Sequence, residues 1–454
     1  MIRPALDKVG RRVFLSASGG ALLCAAARRT FGSIAPSNKV RLAIVGCHAD
    51  GRGICVMRAA LAVPGVEIAW VCDVDSRARD FAAAEVARIA GNVPRKEKDL
   101  RRVLEDPALD GVILETPDHW HAYGAVMAME AGKNVYVEKP CCFCPREGEL
   151  LVEAWRRTGK VLQVGSQRRS SKNFRDAIAW LRENGDVIGD LKWAKCWYST
   201  NRASIGRGKP ASVPDWLDWN LWQGPAPRTE FRDNFVHYNW HWFRRWGTAE
   251  TGNNAPHFAD VARWALGVRF PERVTAAGGL IFPKGDDYSW PDTYSLSFEY
   301  PGGKLVTFEL VSHTSARNFM DVSSGALVYG ERGSVFFSPW DDVRILDEKG
   351  KVLKRWEWER NIGVNVDSRT DPTQNLDVLH MSDFISCIRS GSQKTHMPAD
   401  EGYMSSYMPI VGNIALETRE SLKVDPNTGH PIGSAAAARQ WCREYEKGWD
   451  LLNG

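Results

Sequence analysis

Along the first third of the chain, short unbroken apolar runs alternate with stretches whose apolar residues recur at helical spacing. The runs Val40–Val45, Val66–Cys72, Gly111–Leu114, Asn134–Val137 and 161–164 each stop at a glycine, an acid or a Thr-Pro pair. Amphipathic stretches at 98–106, 122–131 and 146–158 lie between them. Fully apolar strands alternating with helices predict a parallel, doubly wound sheet buried on both faces. Beyond about residue 170 the pattern changes. Longer strand-like segments appear at 191–200, 273–282, 293–300, 304–311, 326–337 and 343–356, with turn signals at Pro301-Gly302-Gly303 and Glu348-Lys349-Gly350-Lys351. Such turns join neighbouring antiparallel strands. Helical patterns return at 376–389 and 402–419. The fold class expected is α/β: an N-terminal Rossmann domain over 39–167, then a C-terminal α+β domain over 168–454 with a largely antiparallel sheet open on one face.

Charge changes the picture mainly through its location. The formal charge is +4, but residues 1–35 hold six basic side chains and one acid, so the remainder carries about −1. The folded part therefore offers no net attraction to nucleic acid. Within 1–35, Arg11-Arg12-Val13-Phe14-Leu15 precedes an apolar stretch too short to span a bilayer, which takes about 20 residues. That layout resembles a cleavable twin-arginine export signal, implying the twin-arginine machinery as a partner, no stable membrane insertion, and a periplasmic or otherwise exported mature protein. The ten cysteines are irregularly spaced and form no disulfide framework. Cys141-Cys142-Phe143-Cys144 is the one cluster, and no second ligand group at zinc spacing accompanies it, so no metal is expected.

Candidate chemistry gathers at strand ends. The first strand runs into Gly46-Cys47-His48-Ala49-Asp50-Gly51-Arg52-Gly53, a turn where glycines let backbone approach a pyrophosphate at a helix N-terminus. The loop reads as one residue longer than G-x-G-x-x-G, with Ala49 near the second glycine's place. Asp73 ends the second strand, where a carboxylate accepts from ribose hydroxyls and repels a 2′-phosphate, favouring NAD over NADP. Thr116-Pro117-Asp118-His119-Trp120-His121 and Glu138-Lys139-Pro140 follow two further strands, at the carboxyl edge where ligands bind.

In this order these motifs resemble the glucose–fructose oxidoreductase, inositol dehydrogenase and rhizopine catabolism family (Gfo/Idh/MocA), from Lys39 onward. The resemblance implies a nicotinamide-dependent oxidoreductase acting on a sugar, polyol or sugar derivative, with an open sheet face that supports a homo-oligomer, dimer or tetramer. It puts Lys139 beside the nicotinamide and the reacting hydroxyl, with Glu138 orienting it. It also points to Gly252-Asn253-Asn254-Ala255-Pro256-His257-Phe258-Ala259-Asp260, where His257 and Asp260 match a helical motif and Asn253 replaces its usual first acid. Lys139 and His257 are then the proton-transfer pair. Gly46, Cys47, Ala49, Asp50, Gly51, Arg52, Asp73, Thr116, Pro117, His119, Glu138 and Gln167 are expected around the cofactor. Arg168, Tyr238, Trp242, Asn253 and Asp260 are expected around substrate, the aromatics offering flat faces to a sugar ring. Export without a soluble nicotinamide pool implies a tightly held cofactor restored in each cycle. Sugar dismutation and glycoside hydrolysis by transient oxidation and elimination both meet that demand, and a non-catalytic binding protein on the same fold is the third possibility.

Overall fold

The computed structural model describes residues 39–315, 319–357 and 376–449. The proposed export signal at 1–35 lies outside the described residues. No described helix is long and apolar enough to cross a membrane.

Six strands, β1 (Val40–Val45), β2 (Val66–Cys72), β3 (Arg95–Glu97), β4 (Gly111–Leu114), β5 (Asn134–Val137) and β6 (Leu162–Val164), form one sheet in the order β3-β2-β1-β4-β5-β6. All its pairings are parallel. β4 is buried at every position and β1 at all but Arg41, as strands covered on both faces must be. Helices Arg52–Ala62, Ser76–Ala90, Asp118–Glu130 and Pro145–Thr158, with the short Leu100–Leu104 between β3 and β4, make the crossovers. Asp75 caps the second of these by accepting from the Arg77 amide, and Gly91 closes it in the left-handed conformation.

Among the described residues the second sheet has ten strands: β7 (Trp193–Ser199), β8 (Arg273–Gly279), β9 (Thr293–Tyr300), β10 (Lys304–Val311), β11 (Ser324–Tyr329), β12 (Gly333–Phe337), β13 (Val343–Asp347), β14 (Val352–Trp356), β15 (Leu422–Val424) and β16 (Pro431–Ile432). Their order is β14-β13-β12-β11-β7-β10-β9-β8-β15-β16. Only β7 and β10 pair in parallel. Tyr294, Leu296, Phe298 and Tyr300 of β9 and Val306, Phe308 and Leu310 of β10 share a core with helices Ala249–Leu266 and Ala399–Thr418. The expected single strand over 326–337 is two strands, because a Cβ on Gly330 would stand 2.3 Å from the Ile188 carbonyl and the chain turns there. The run at 343–356 likewise breaks at Gly350, whose φ is +79°. The segment 273–282 stops pairing at Gly279 and leaves Leu280, Ile281 and Phe282 exposed.

Sequence position and packing part company at helix Leu376–Ser390. Its Met381, Phe384, Ile385 and Cys387 fill the same apolar cluster as Val40, Leu42, Ile44, Val56 and Ile68 of the first sheet's layer.

Candidate active site

A cavity of about 880 Å³ runs along the carboxyl ends of β1, β2, β4 and β5 and continues beneath helix Ala249–Leu266. At one end are His48, Asp73 and Lys98, at the centre Thr116, Lys139, Asn253 and His257, and at the far end Arg202, Tyr238 and His241.

The glycine loop builds the first end. Gly46 has φ +84°, and a Cβ there would meet the Glu115 carbonyl oxygen at 2.5 Å. A Cβ on Gly53 would fall 1.9 Å from the Gly46 oxygen, so helix Arg52–Ala62 approaches β1 this closely only with hydrogen at that position. Gly51 is the helix N-cap, five residues after Gly46. The loop therefore keeps ordinary Rossmann length, which corrects the longer loop expected from sequence. The middle glycine's place belongs to His48, and Ala49 is an exposed neighbour that does not line the cavity. Cys47 is buried, with Sγ against the Ala78 carbonyl at 3.7 Å, and contributes its amide to Asp73 Oδ2 at 2.7 Å. Asp73 Oδ1 accepts from the Asp75 amide at 2.9 Å. Burial raises the Asp73 carboxyl, against these two amides.

His48, Asp75 and His237 bring one ligand atom each within 4.8 Å of one another. Their contacts are those of a hydrogen-bonded cluster: His237 Nε2 lies 2.9 Å from Asp75 Oδ2, and the two imidazoles pack at a tilt with ring centres 4.2 Å apart. Arg77 occupies both Asp75 oxygens, through Nε at 3.1 Å and Nη2 at 2.8 Å.

At the centre, Lys139 Nζ donates to the Asn253 carbonyl at 2.6 Å and to Asn253 Oδ1 at 3.0 Å. Burial lowers its pKa, with Glu138 and Asp118 opposing. Glu138 does not pair with that ammonium. Its Oε2 accepts the Lys139 amide at 3.0 Å, and Oε1 accepts from Arg52 Nε at 3.1 Å and Gln167 Nε2 at 3.2 Å. Arg52 in turn pairs with Asp377 from the returning helix. His121 ties the loops together, Nδ1 at 2.7 Å from the Pro140 oxygen and Nε2 at 2.7 Å from the Thr116 oxygen. Asn253 and His257, four apart, share the helix stripe that faces the cavity. Burial, then the Lys139 charge, pushes His257 well below the ordinary imidazole value, so it is neutral.

Asp260 continues that stripe one turn past the cavity. It accepts from Arg169 Nε at 2.6 Å and Nη2 at 2.7 Å, and from Arg263 and Ser405. Besides Cys47 and Ala49 of the glycine loop, four other expected residues also lie outside the cavity. His119 is fully buried, with Nε2 on the Trp222 oxygen at 3.0 Å. Trp242 is buried against Tyr288, ring centres 4.9 Å apart. Gln167 braces Glu138, and Arg168 lies over the Phe258 ring at 4.2 Å with burial pushing it down to about 10. Gly46, Asp50, Gly51, Arg52, Asp73, Thr116, Pro117, Glu138, Lys139, Tyr238, Asn253 and His257 all line the cavity.

At the far end the sequence reading named Tyr238 and missed Arg202 and His241. Arg202 grips the fully buried Glu250 through Nε and Nη2 at 2.8 and 2.7 Å, and donates to the Tyr238 hydroxyl at 2.9 Å. His241 Nδ1 donates to the Tyr238 carbonyl at 2.7 Å, and burial drives the imidazole down to about 3. The density of aromatics and histidines in 216–246 was the available signal, though it could not say which faced inward.

The residues present fit a dinucleotide. The cavity has the volume of a ligand site, Gly46 and Gly53 leave a cradle that a Cβ would fill, and Thr116 Oγ1 is buried with no partner. Residues 40–166 match the family model described as "Oxidoreductase family, NAD-binding Rossmann fold". Residues 226–336 match the GFO/IDH/MocA C-terminal domain, so the two models together take in more than half of the chain. The chain belongs to the Gfo/Idh/MocA family. Its N-terminal sheet is that family's NAD-binding Rossmann domain. A scyllo-inositol 2-dehydrogenase (NAD(+)) of Bacillus subtilis is 36% identical over 25% of this chain and 32% of its own length. A glycosyl hydrolase family 109 protein of Saccharopolyspora erythraea is 28% identical over 56% of this chain and 53% of its own length. The chain thus spans about a third to a half of these curated relatives. A levoglucosan dehydrogenase in complex with NADH and levoglucosan shares the fold, with TM-score 0.62 and 17% identity over 85% of this chain and 99% of that one.

Proposed function

We propose that this chain is an NAD-dependent oxidoreductase of a small sugar or polyol, with Lys139 as the group that takes the hydroxyl proton. The observation that carries this reading is the half-buried Lys139 amino group, its pKa lowered by desolvation, held by Asn253 beside the neutral His257 in one cavity. The Gly46–Arg52 loop would hold the diphosphate, Asp73 the adenosine ribose, and Thr116 with the Glu138-Lys139 turn the nicotinamide end. Bound NAD supplies the hydride acceptor. Lys139 enters the reaction unprotonated, accepts the proton from the hydroxyl being oxidised and passes it toward His257. A carboxylate at Asp73 favours NAD over NADP. Arg202, Tyr238, His241 and Asn201 offer donors and acceptors to the remaining hydroxyls, with Trp240 as an apolar wall.

Two neutral imidazoles, His241 and His257, exceed the needs of a single proton transfer. This favours, as second reading, a hydrolase that oxidises a sugar hydroxyl, eliminates the glycosidic substituent, adds water and reduces again. The relative named for a glycosyl hydrolase family supports the same reading. Export through the twin-arginine route, a retained cofactor and homo-oligomerisation through the open sheet face complete the proposal.

The test begins by denaturing the purified protein and quantifying released dinucleotide. Near-stoichiometric NAD supports a retained cofactor. Sugar pairs and aryl glycosides are then screened: turnover requiring two sugars means dismutation, and aglycone release means hydrolysis. Lys139→Ala should keep the dinucleotide and lose turnover. A protein that neither carries nor binds NAD overturns the enzyme reading in favour of a non-catalytic binder.

A further inference from the structure

The chain's final described segment is laid across the start of helix Pro145–Thr158. Trp441 offers its carbonyl to the Arg146 amide at 2.9 Å, and its indole donates to Glu149 at 2.8 Å. Arg443 lies 2.7 Å from Glu147 and covers the Phe143 ring at 4.8 Å, while the Tyr445 hydroxyl donates to Glu147 at 3.0 Å. Between these contacts two cysteines meet. Cys144 is the buried N-cap of the helix, and the exposed Cys442 belongs to the strap. Cys442 thus sits between two residues bonded to the first turn of the helix that Cys144 caps, and both cysteines are free thiols.

We infer that Cys144 and Cys442 are a dithiol–disulfide couple, a covalent latch that fastens the C-terminal strap to the helix following the Lys139 turn. The strap braces the cavity wall: Arg443 Nη2 donates to the His119 carbonyl at 2.7 Å, and Trp449 packs on Trp120 at 5.1 Å between ring centres. Trp120 lines the cavity.

The oxidant is a small disulfide of the glutathione type. Contact with Cys144 lowers the Cys442 thiol while the same contact raises Cys144, so the exposed Cys442 is the attacking group. The Cys442 thiolate attacks one oxidant sulfur and expels one thiolate. Cys144 then gives up its proton, attacks Cys442 Sγ and expels the second. One S–S bond breaks and one forms; counted from the dithiol, the protein loses two electrons and two protons, and the oxidant leaves as two thiols. Cys141 and Cys142, though nearer in sequence, are fully buried, with Cys141 engaged by Ser406.

The purified full chain is equilibrated with oxidised glutathione, acid-quenched, alkylated and digested without reductant. The expected product is one peptide pair joined through Cys144 and Cys442, about 2 Da lighter than the free pair, with no glutathione retained. The latch closes a loop of nearly three hundred residues, so Tm should rise by about 4–8 °C, reversibly with dithiothreitol. Cys442→Ser, on the exposed partner, should fold and lose both effects. A lasting glutathione adduct on Cys442, both thiols remaining open to alkylation, or cross-links to Cys141 or Cys142 instead would each overturn the latch.

Discussion

Replacing Asn253 by aspartate tests the chemistry of Lys139 most directly. The change puts a carboxylate where an amide oxygen now stands 3.0 Å from Nζ. Two unit charges at that distance attract by about 5–6 kcal/mol at an effective dielectric near 20. Cavity water screens part of this, and opposite charges so close commonly move a pKa by about 1–3 units, or about 1.4–4 kcal/mol. Burial now lowers Lys139, which favours the neutral amine. The aspartate would stabilise the ammonium and reverse that effect. The acid limb of kcat/KM for oxidation should therefore move up by about 1–3 pH units, with activity near neutrality falling about 10- to 1000-fold and returning in alkali. Competitive labelling of Lys139 with an amine-reactive reagent across pH, read by mass spectrometry, follows the same shift without a substrate. An unmoved labelling profile would refute the electrostatic argument. A variant faster at neutral pH would mean that the proton leaves through residue 253 and not by way of Lys139.

Asp260→Asn strips the anion from between Arg169 and Arg263, whose side chains are 6% and 3% exposed. Breaking a buried pair on one side costs about 3–5 kcal/mol, measurable as a lower urea midpoint at pH 7. The arginines hold the Asp260 carboxyl below its usual range, so its contribution is present above about pH 4 and lost as pH falls through the folded value. The gap between wild type and variant should close on acidification, and a raised KM at unchanged stability would return Asp260 to the substrate site. Gly53→Ala forces a methyl into the space 1.9 Å from the Gly46 oxygen, costing about 1–3 kcal/mol or more as loop and helix part. NAD affinity by calorimetry should drop at least tenfold by the same arithmetic, and an unaltered affinity would contradict the cradle.

Much of the first sheet could be read from the chain because parallel strands buried on both faces leave uninterrupted apolar runs such as Val112-Ile113-Leu114. Its strand-end motifs follow directly, and Glu138-Lys139-Pro140 reaches the cavity that way. Other features are set by tertiary partners that no local pattern announces. β7 and β10 lie side by side in parallel although more than a hundred residues separate their starts. Arg202 acquires its place from Glu250, 48 residues on, within a stretch that has little regular structure. Asp260 has the helical phase of a site residue and differs from His257 only in depth along the helix, where two arginines meet it. His48 escaped because a missing glycine looks like an added residue until the helix start is known.

Helix Leu376–Ser390 gives the first sheet a timing constraint. Because its Met381, Phe384 and Ile385 close the apolar layer beside β1, a nascent chain that has emitted all six N-terminal strands still exposes that layer to water. Domains usually fold in order as they leave the ribosome. Here the nucleotide half must wait until Ser390 has emerged, with Asp377 arriving to pair with Arg52 at the mouth of the glycine loop. Dinucleotide capture then reports on synthesis as well as on binding: a prematurely terminated chain has every residue of the glycine loop and no finished place to hold the ligand.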